Sequence, residues 1–322
     1  MKKIGVVSTS MSAFEIDTRL ISVGIDKLNA LGLTVQFGDS VFKNEKNISL
    51  KEKISNKIKD INIFLEDDTN IIMSLIGGYN SNRLLDYLDY KKIKDSRKIF
   101  IGYSDTTALL NSIYTVTGCN SILGPAFINF CNPTIFTEMI NSFIDVVINN
   151  KKVIYQAPKE YAYGDWFLNN KFRYKNISKH YGWEYIKEGN AKGTLVGGNL
   201  ETLLILSGTK YFPKVKDSIL LLESNPEENI LKIERGLIQL AQMNVLKKIN
   251  GVIFGQMANR FNESLKPAYL DMILTIFEEY DIPILINANF SHVDPIYSLP
   301  IGGTIKMDSN TNSIILESNF KV

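Results

Sequence analysis

Over residues 1–150 apolar positions fall by turns into short solid runs and into helical stripes. Ile4–Val7, Leu33–Phe37, Asn70–Ile76 and Ile99–Ile101 carry the apolar content expected of strands. The spacing from Asp17 to Leu31, closed by Gly32, predicts a helix, and Ser49–Leu65 is amphipathic and lysine-rich, hence a surface helix. Arg83–Leu88 is a short helical piece. Ala108, Leu109, Leu110, Ile113, Tyr114 and Val116 then recur at helical spacing until Gly118. Cys119–Leu123 with Gly124-Pro125 gives another strand and turn, and Thr134–Ile148 another helix. Repeated βα units imply α/β architecture with a doubly wound, mostly parallel, Rossmann-like sheet that binds ligands at the C-terminal ends of its strands. Gly77-Gly78 and Ser104 both lie at such ends.

The pattern fades from Asn149 to Gly189, where aromatic residues crowd in and both tryptophans, Trp166 and Trp183, are found among Lys171, Arg173, Lys175 and Lys179. Such a stretch suits a single-stranded nucleic-acid platform, a linker packed between two domains, or a long loop stacking on a small aromatic substrate group. Beyond it, Gly193–Val196 leads into Gly197-Gly198-Asn199 and a helix over Leu200–Leu206. Ser218–Leu222 is a strongly apolar strand closed by Glu223. Asn229–Leu246 and Leu265–Tyr280 read as helices, Val252–Phe254 and Pro283–Asn287 as strands, and Gly303–Leu316 as a hairpin. The chain therefore divides into an N-terminal α/β domain over 1–150, an aromatic linker or substrate loop over 151–190, and a C-terminal mixed α/β domain over 191–322.

Charge narrows the choice of partners. Lys+Arg 36 against Asp+Glu 34 leaves +2 on 322 residues, so no global field recommends nucleic acid or an acidic membrane. Cys119 and Cys131 form neither a disulfide framework nor a metal-ligand spacing, and read as small buried hydrophobes in a reduced compartment. The opening MKKIGVVSTSMSAFEID reads as a first strand and not as a signal peptide, and no uncharged run approaches the ~20 residues of a membrane span, so a cytoplasmic location is expected. The glycine pairs match neither G-x-G-x-x-G nor a P-loop, and no His/Cys/carboxylate cluster stands out, so neither cofactor nor metal is expected.

The stretch Lys98–Gly118, KIFIGYSDTTALLNSIYTVTG, carries the candidate chemistry. A strand that turns sharply into a helix exposes its turn residue, here Ser104, beside the free amides of the first helical turn. Ser, Asp and Thr are equally ordinary helix caps, and Thr106 stands where the G-x-S-x-G elbow has glycine. A serine nucleophile needs a base, and the base an orienting group. Of the two histidines, His180 lies in the basic loop and reads as a solvated surface residue, whereas His292 sits in a turn at a strand's C-terminal end. Glu223 closes an apolar strand, where acids seldom stand without a partner. Asp105 rivals it but reads as a helix cap, and Glu227 and Glu228 read as an acidic first helical turn.

Larger blocks add a resemblance. IGGYNSNRLLDYLDY, GYSDTTALLNSIYTVTG, GTLVGGNLETLLILSGTKYFP, SILLLES and FSHVDPIYSLPIGG resemble the serine peptidase family of LD-carboxypeptidases, in particular its microcin C self-immunity branch, over nearly the whole chain and in the same order. The resemblance implies a C-terminal domain with a β-barrel-like sheet, a homodimer and a Ser-Glu-His triad of Ser104, Glu223 and His292. It also implies an oxyanion hole from the N–H groups of Gly78 and Asp105, with Gly77 the alternative to Gly78. Asn199 matches a substrate-contacting amide, and Trp166 falls near a tryptophan that stacks on a nucleobase. Ser224 departs from the family's usual Asp. The activity so implied is hydrolysis, through an acyl-enzyme, of an amide-type bond at the C-terminal end of a peptidyl or aminoacyl nucleotide. Cleavage of a murein tetrapeptide before its terminal D-alanine is the alternative, and a non-turning-over small-ligand binder on the same scaffold is the reading from another class.

Overall fold

The computed structural model describes residues 2–164, 177–225, 229–257 and 265–317. Strands β1 (Lys2–Val7), β2 (Leu33–Phe37), β3 (Ile71–Ser74), β4 (Ile99–Gly102) and β5 (Ser121–Leu123) pair in parallel in the order β5-β4-β3-β1-β2. β3 and β4 are buried at every position, which explains why their sequences are solid apolar runs. Helix α1 (Thr18–Ala30) links β1 to β2, and α2 (Leu50–Glu66) links β2 to β3. The strand order reverses between these two connections. Right-handed crossovers therefore put α1 on one face and α2, α3 (Tyr90–Ser96) and α4 (Thr107–Thr117) on the other. α1 packs against the short α5 (Phe127–Phe130), while α3 packs against α2 and α4.

Local signals set several boundaries. Asp17 and Ser49 cap α1 and α2 by accepting from the N–H groups of Arg19 and Glu52, and Gly118 ends α4 at φ 74°. The helix expected over Thr134–Ile148 is two pieces, α6 (Thr137–Ser142) and a wider π-helical turn over Phe143–Ile148. α2 is less purely a surface helix than its lysines suggest, because Lys57 and Asp60 are buried. Cys131 is buried as expected, whereas Cys119 is only partly so, and both are free thiols.

The aromatic segment contains short strands instead of plain loop: β6 (Ile154–Tyr155), β7 (Glu160–Tyr163), β8 (Ile177–Lys179) and β9 (Glu184–Lys187). After it, β10 (Asn190–Asn199), β11 (Ser218–Glu223), β12 (Ile249–Gly255) and β13 (Ile284–Ala288) run parallel. Helices α7 (Leu200–Leu204), α8 (Ile230–Gln242) and α9 (Lys266–Ile276) pack beside them around a second apolar core. β14 (Val293–Asp294) and β15 (Leu299–Ile301) precede the hairpin of β16 (Thr304–Asp308) and β17 (Ser313–Leu316).

This second sheet has eight strands in the order β6-β17-β16-β10-β11-β12-β13-β9. It curls as the expected barrel-like sheet would. Tyr185 on the β9 edge reaches the β16–β17 hairpin, donating to the Ser313 carbonyl (3.1 Å) and accepting from the Asp308 N–H (3.0 Å). β14 pairs with β7 of the aromatic segment, and β15 ties the halves together by returning to the first sheet as the antiparallel neighbour of β5. Among the described residues no helix is long and apolar enough to cross a membrane.

Candidate active site

Ser104 stands where β4 gives way to α4. Tyr103 is extended, Ser104 turns to φ 58°, and a 3-10 turn over Ser104–Thr106 runs into the helix. A non-glycine residue in the left-handed region is strained, and here the strain lifts the hydroxyl out of the sheet. The glycine missing at Thr106 is replaced by clearance elsewhere. Gly102 lies so close to Ser74 and Thr106 that a methyl group there would collide with both. A Cβ on Gly77 would stand 2.9 Å from Ser104 Oγ. The crowding that G-x-S-x-G relieves within the turn is relieved here at the ends of β3 and β4.

His292 and Glu223 come from the other half and meet Ser104. Glu223 is the last residue of β11, with its side chain 1% exposed. Its Oε2 lies 2.8 Å from His292 Nδ1, and His292 Nε2 lies 2.9 Å from Ser104 Oγ. The other carboxylate oxygen, Oε1, is buried and has no partner among the described residues. Ser291 fixes the turn by donating to the Gln256 carbonyl (2.6 Å), and the next residues form β14 on the aromatic segment's β7. Tyr103 sets its ring edge-on to the imidazole at 5.4 Å.

The two halves are joined next to this array. Asn111 on α4 accepts from the Gly197 N–H (3.0 Å) and donates to the Gly197 carbonyl (2.9 Å). Thr107 Oγ1 accepts the Asn199 N–H at 3.0 Å. Asn199 sits opposite Glu223 in the β10–β11 register, and its Oδ1 caps α7 by accepting from the Thr202 N–H (3.0 Å) and hydroxyl (2.9 Å). That leaves the Asn199 NH₂ without an acceptor among the described residues.

Other expected positions are redistributed. Asp105 does not cap the helix beside Ser104, and its hydrogen-bond partners are Ser10 and Ser81 instead of His292. Its buried carboxylate accepts from Ser10 Oγ (2.5 Å) and the Ser81 N–H (2.8 Å), so it pins two loops around Ser104. Burial pushes its pKa upward against those bonds and against the field of Arg83. His180 is no solvated surface residue. It is 6% exposed, accepts the Gly182 N–H on Nδ1 (2.8 Å), and burial lowers its pKa. Gly78 adopts φ 130°, and a Cβ there would collide with Met11. Trp166, Glu227 and Glu228 lie outside the described residues. Among the described residues no group of three or more His, Cys, Asp or Glu could hold a metal ion.

Residues 4–124 match the LD-carboxypeptidase N-terminal domain and residues 192–307 the LD-carboxypeptidase C-terminal domain. The chain belongs to the LD-carboxypeptidase family. It is a serine-type carboxypeptidase by that membership. Bacillus subtilis YocD, which bears a carboxypeptidase name, is 33% identical over 98% of this chain and 97% of its own length. An MccF-like protein from Bacillus anthracis superposes with a TM-score of 0.91 at 32% identity, covering 98% of this chain and 97% of that one. The microcin C7 self-immunity protein MccF in complex with aspartyl sulfamoyl adenosine superposes at 0.89 and 28% identity, covering 100% of this chain and 97% of that one.

Proposed function

We propose that Ser104, His292 and Glu223 work as nucleophile, general base and orienting acid in hydrolysing an amide-type bond at the C-terminal end of a peptidyl or aminoacyl nucleotide. The observation that carries this is the unbroken hydrogen-bonded line from Ser104 Oγ through both ring nitrogens of His292 to Glu223. Nδ1–H donates to Glu223, which fixes the tautomer and leaves Nε2 to take the serine proton. Ser104 Oγ attacks the carbonyl carbon, and the oxyanion is held by the N–H groups of Gly78 and Asp105. His292 returns the proton to the leaving nitrogen as the C–N bond breaks. Water then repeats the sequence on the acyl-enzyme, releasing the acid and the free serine.

The nucleotide reading is supported by the aspartyl sulfamoyl adenosine bound to the related MccF and by the unused NH₂ of Asn199 beside Glu223. Trp166 is assigned to stacking on the base. Cytoplasmic location and homodimerisation belong to the same proposal, and sedimentation of the purified chain tests the second. Aspartyl sulfamoyl adenosine and a murein tetrapeptide are to be offered in parallel to the wild type and to Ser104→Ala. Loss of at least about 10⁴-fold in kcat with binding retained is expected for Ser104→Ala. Turnover surviving that change ends the triad assignment. Preferential cleavage of the tetrapeptide, or equal harm to both substrates from Trp166→Ala, replaces the nucleotide reading by the murein one. Binding without turnover in the wild type leaves a ligand-binding protein.

A further inference from the structure

Helix α2 buries a cation that the proposed reaction does not use. Lys57 shares a helical stripe with Ile61, Phe64 and Leu65, where an apolar side chain would pack, yet its own side chain is 0% exposed. A buried charge is costly unless it is fully paired. Here each of the three ammonium protons has an acceptor: Glu45 Oε1 at 2.8 Å, the Ser10 carbonyl at 2.7 Å and Ser8 Oγ at 3.0 Å. Burial lowers the Lys57 pKa, and the bond to Glu45 opposes that shift. Two of the three acceptors belong to one loop, Ser8–Met11, which follows β1. Ser8, Thr9 and Ser10 are buried as well.

That loop contacts the residues of both amides assigned to the oxyanion. Ser10 Oγ donates to Asp105 Oδ2 (2.5 Å), on the residue that follows Ser104. Thr9 Oγ1 lies 3.4 Å from Thr106 Oγ1, one residue further on. Ser8 carries the Lys57 contact to the far end of the loop by donating to the Met11 carbonyl (2.7 Å). Met11 in turn donates its N–H to the Gly77 carbonyl (3.4 Å), and its side chain lies where a Cβ on Gly78 would stand. A trans peptide unit is planar, so the Gly77 carbonyl and the Gly78 N–H point in opposite directions. Fixing the one aims the other.

We propose that Lys57 is a positioning residue for the oxyanion hole, acting through the Ser8–Met11 loop on the amides of both Gly78 and Asp105. The proposal rests on Ser104 being the nucleophile and on those two donors. An apolar residue at position 57 would hold α2 against the sheet equally well, but it would leave the loop without its cationic anchor. Displaced donors weaken the hold on the developing oxyanion and leave ground-state binding as it was.

The test sets Lys57→Met, Ser10→Ala and Asp60→Asn beside the wild type, with whichever of aspartyl sulfamoyl adenosine and the murein tetrapeptide is turned over faster. Asp60 lies on the same helix but accepts from the Asp39 N–H and from the Ser40 N–H and hydroxyl, on the loop after β2, so it controls for damage to α2 alone. Lys57→Met should lower kcat by about 10- to 100-fold with KM unchanged and with unchanged affinity for the same compound in a Ser104→Ala background. Ser10→Ala cuts only the Asp105 branch and should lower kcat by about 3- to 10-fold. Asp60→Asn should lower Tm and leave kcat unchanged. An unaltered kcat in Lys57→Met, a loss confined to KM, or an equal kcat loss in Asp60→Asn overturns the proposal. If Lys57→Met does not fold, Ser8→Ala combined with Ser10→Ala takes its place, with the same expected and overturning results. If the wild type turns over neither compound, the hydrolase reading fails, and labelling of Ser104 by a fluorophosphonate decides. That reagent forms an Oγ–P bond, releases fluoride and sets its phosphoryl oxygen where the oxyanion would lie. Labelling at least about 10-fold slower in Lys57→Met supports the proposal, whereas equal rates, or no labelling of the wild type, overturn it.

Discussion

Ser104 and the His292–Glu223 pair face each other across 2.9 Å and are held by different means. Ser104 is positioned by backbone: a left-handed φ of 58°, room left by glycines, and loops pinned from both sides by Asp105. Glu223 and His292 are positioned by depth: a strand buried at every position, a carboxylate with a single partner among the described residues, and a turn anchored through Ser291 and β14. In the proposed triad the hydroxyl must reach out of the sheet, which demands strain and clearance, and the orienting acid must be kept from water, which demands cover. The two kinds of support should fail differently when altered.

Removing the charge on the covered side should cost most. Glu223→Gln should leave the fold intact and lower kcat by about 10⁴-fold, because the imidazole loses the partner that fixes its tautomer; steady-state kinetics beside a thermal melt checks both halves. On the strained side, Gly77→Ala puts a methyl group against Ser104 Oγ. A loss of about 10²- to 10³-fold in kcat with little change in Tm is expected, and unimpaired kinetics would show that the clearance is not needed. Asn111→Leu separates the sides instead of altering either. It strands the N–H and C=O of Gly197, at a cost of about 2–4 kcal/mol in denaturant unfolding. The smallest effect concerns pH. Burial raises the Asp105 pKa above 3.8, so the folded chain takes up this proton more readily than the unfolded one. Its contribution to stability is complete below 3.8 and is lost as pH rises through the folded value. Asp105→Asn should flatten that part of a stability-against-pH curve.

The sequence made much of this legible for a physical reason. β1, β3 and β4 are buried runs, so each end was marked by an abrupt change to Gly, Ser or Thr, and Ser104, Glu223 and His292 all stand at or just past such changes. The elements that are not legible in the sequence have no periodicity to show. β14 and β15 are two and three residues long, and Pro300 disguises the latter, which it can do because β15 is an edge strand. The four strands of the aromatic segment are equally short. His180 reads as a surface residue because its neighbours Lys179 and Tyr181 are polar, while its burial comes from distant residues such as Tyr161, which meets its ring edge-on at 5.9 Å. Asp105 reads as a cap because caps are local, whereas its partners Ser10 and Ser81 are 95 and 24 residues away.

The return of β15 to β5 bears on how the chain could ever be taken apart. A fragment ending before residue 190 would keep the serine but expose the bare edge of β5 to whatever strand it met. Its complement would keep the imidazole on a stretch whose continuation has lost the sheet it belongs to. Neither piece is a self-sufficient module, so exchange between relatives should succeed for surface loops and fail for whole halves.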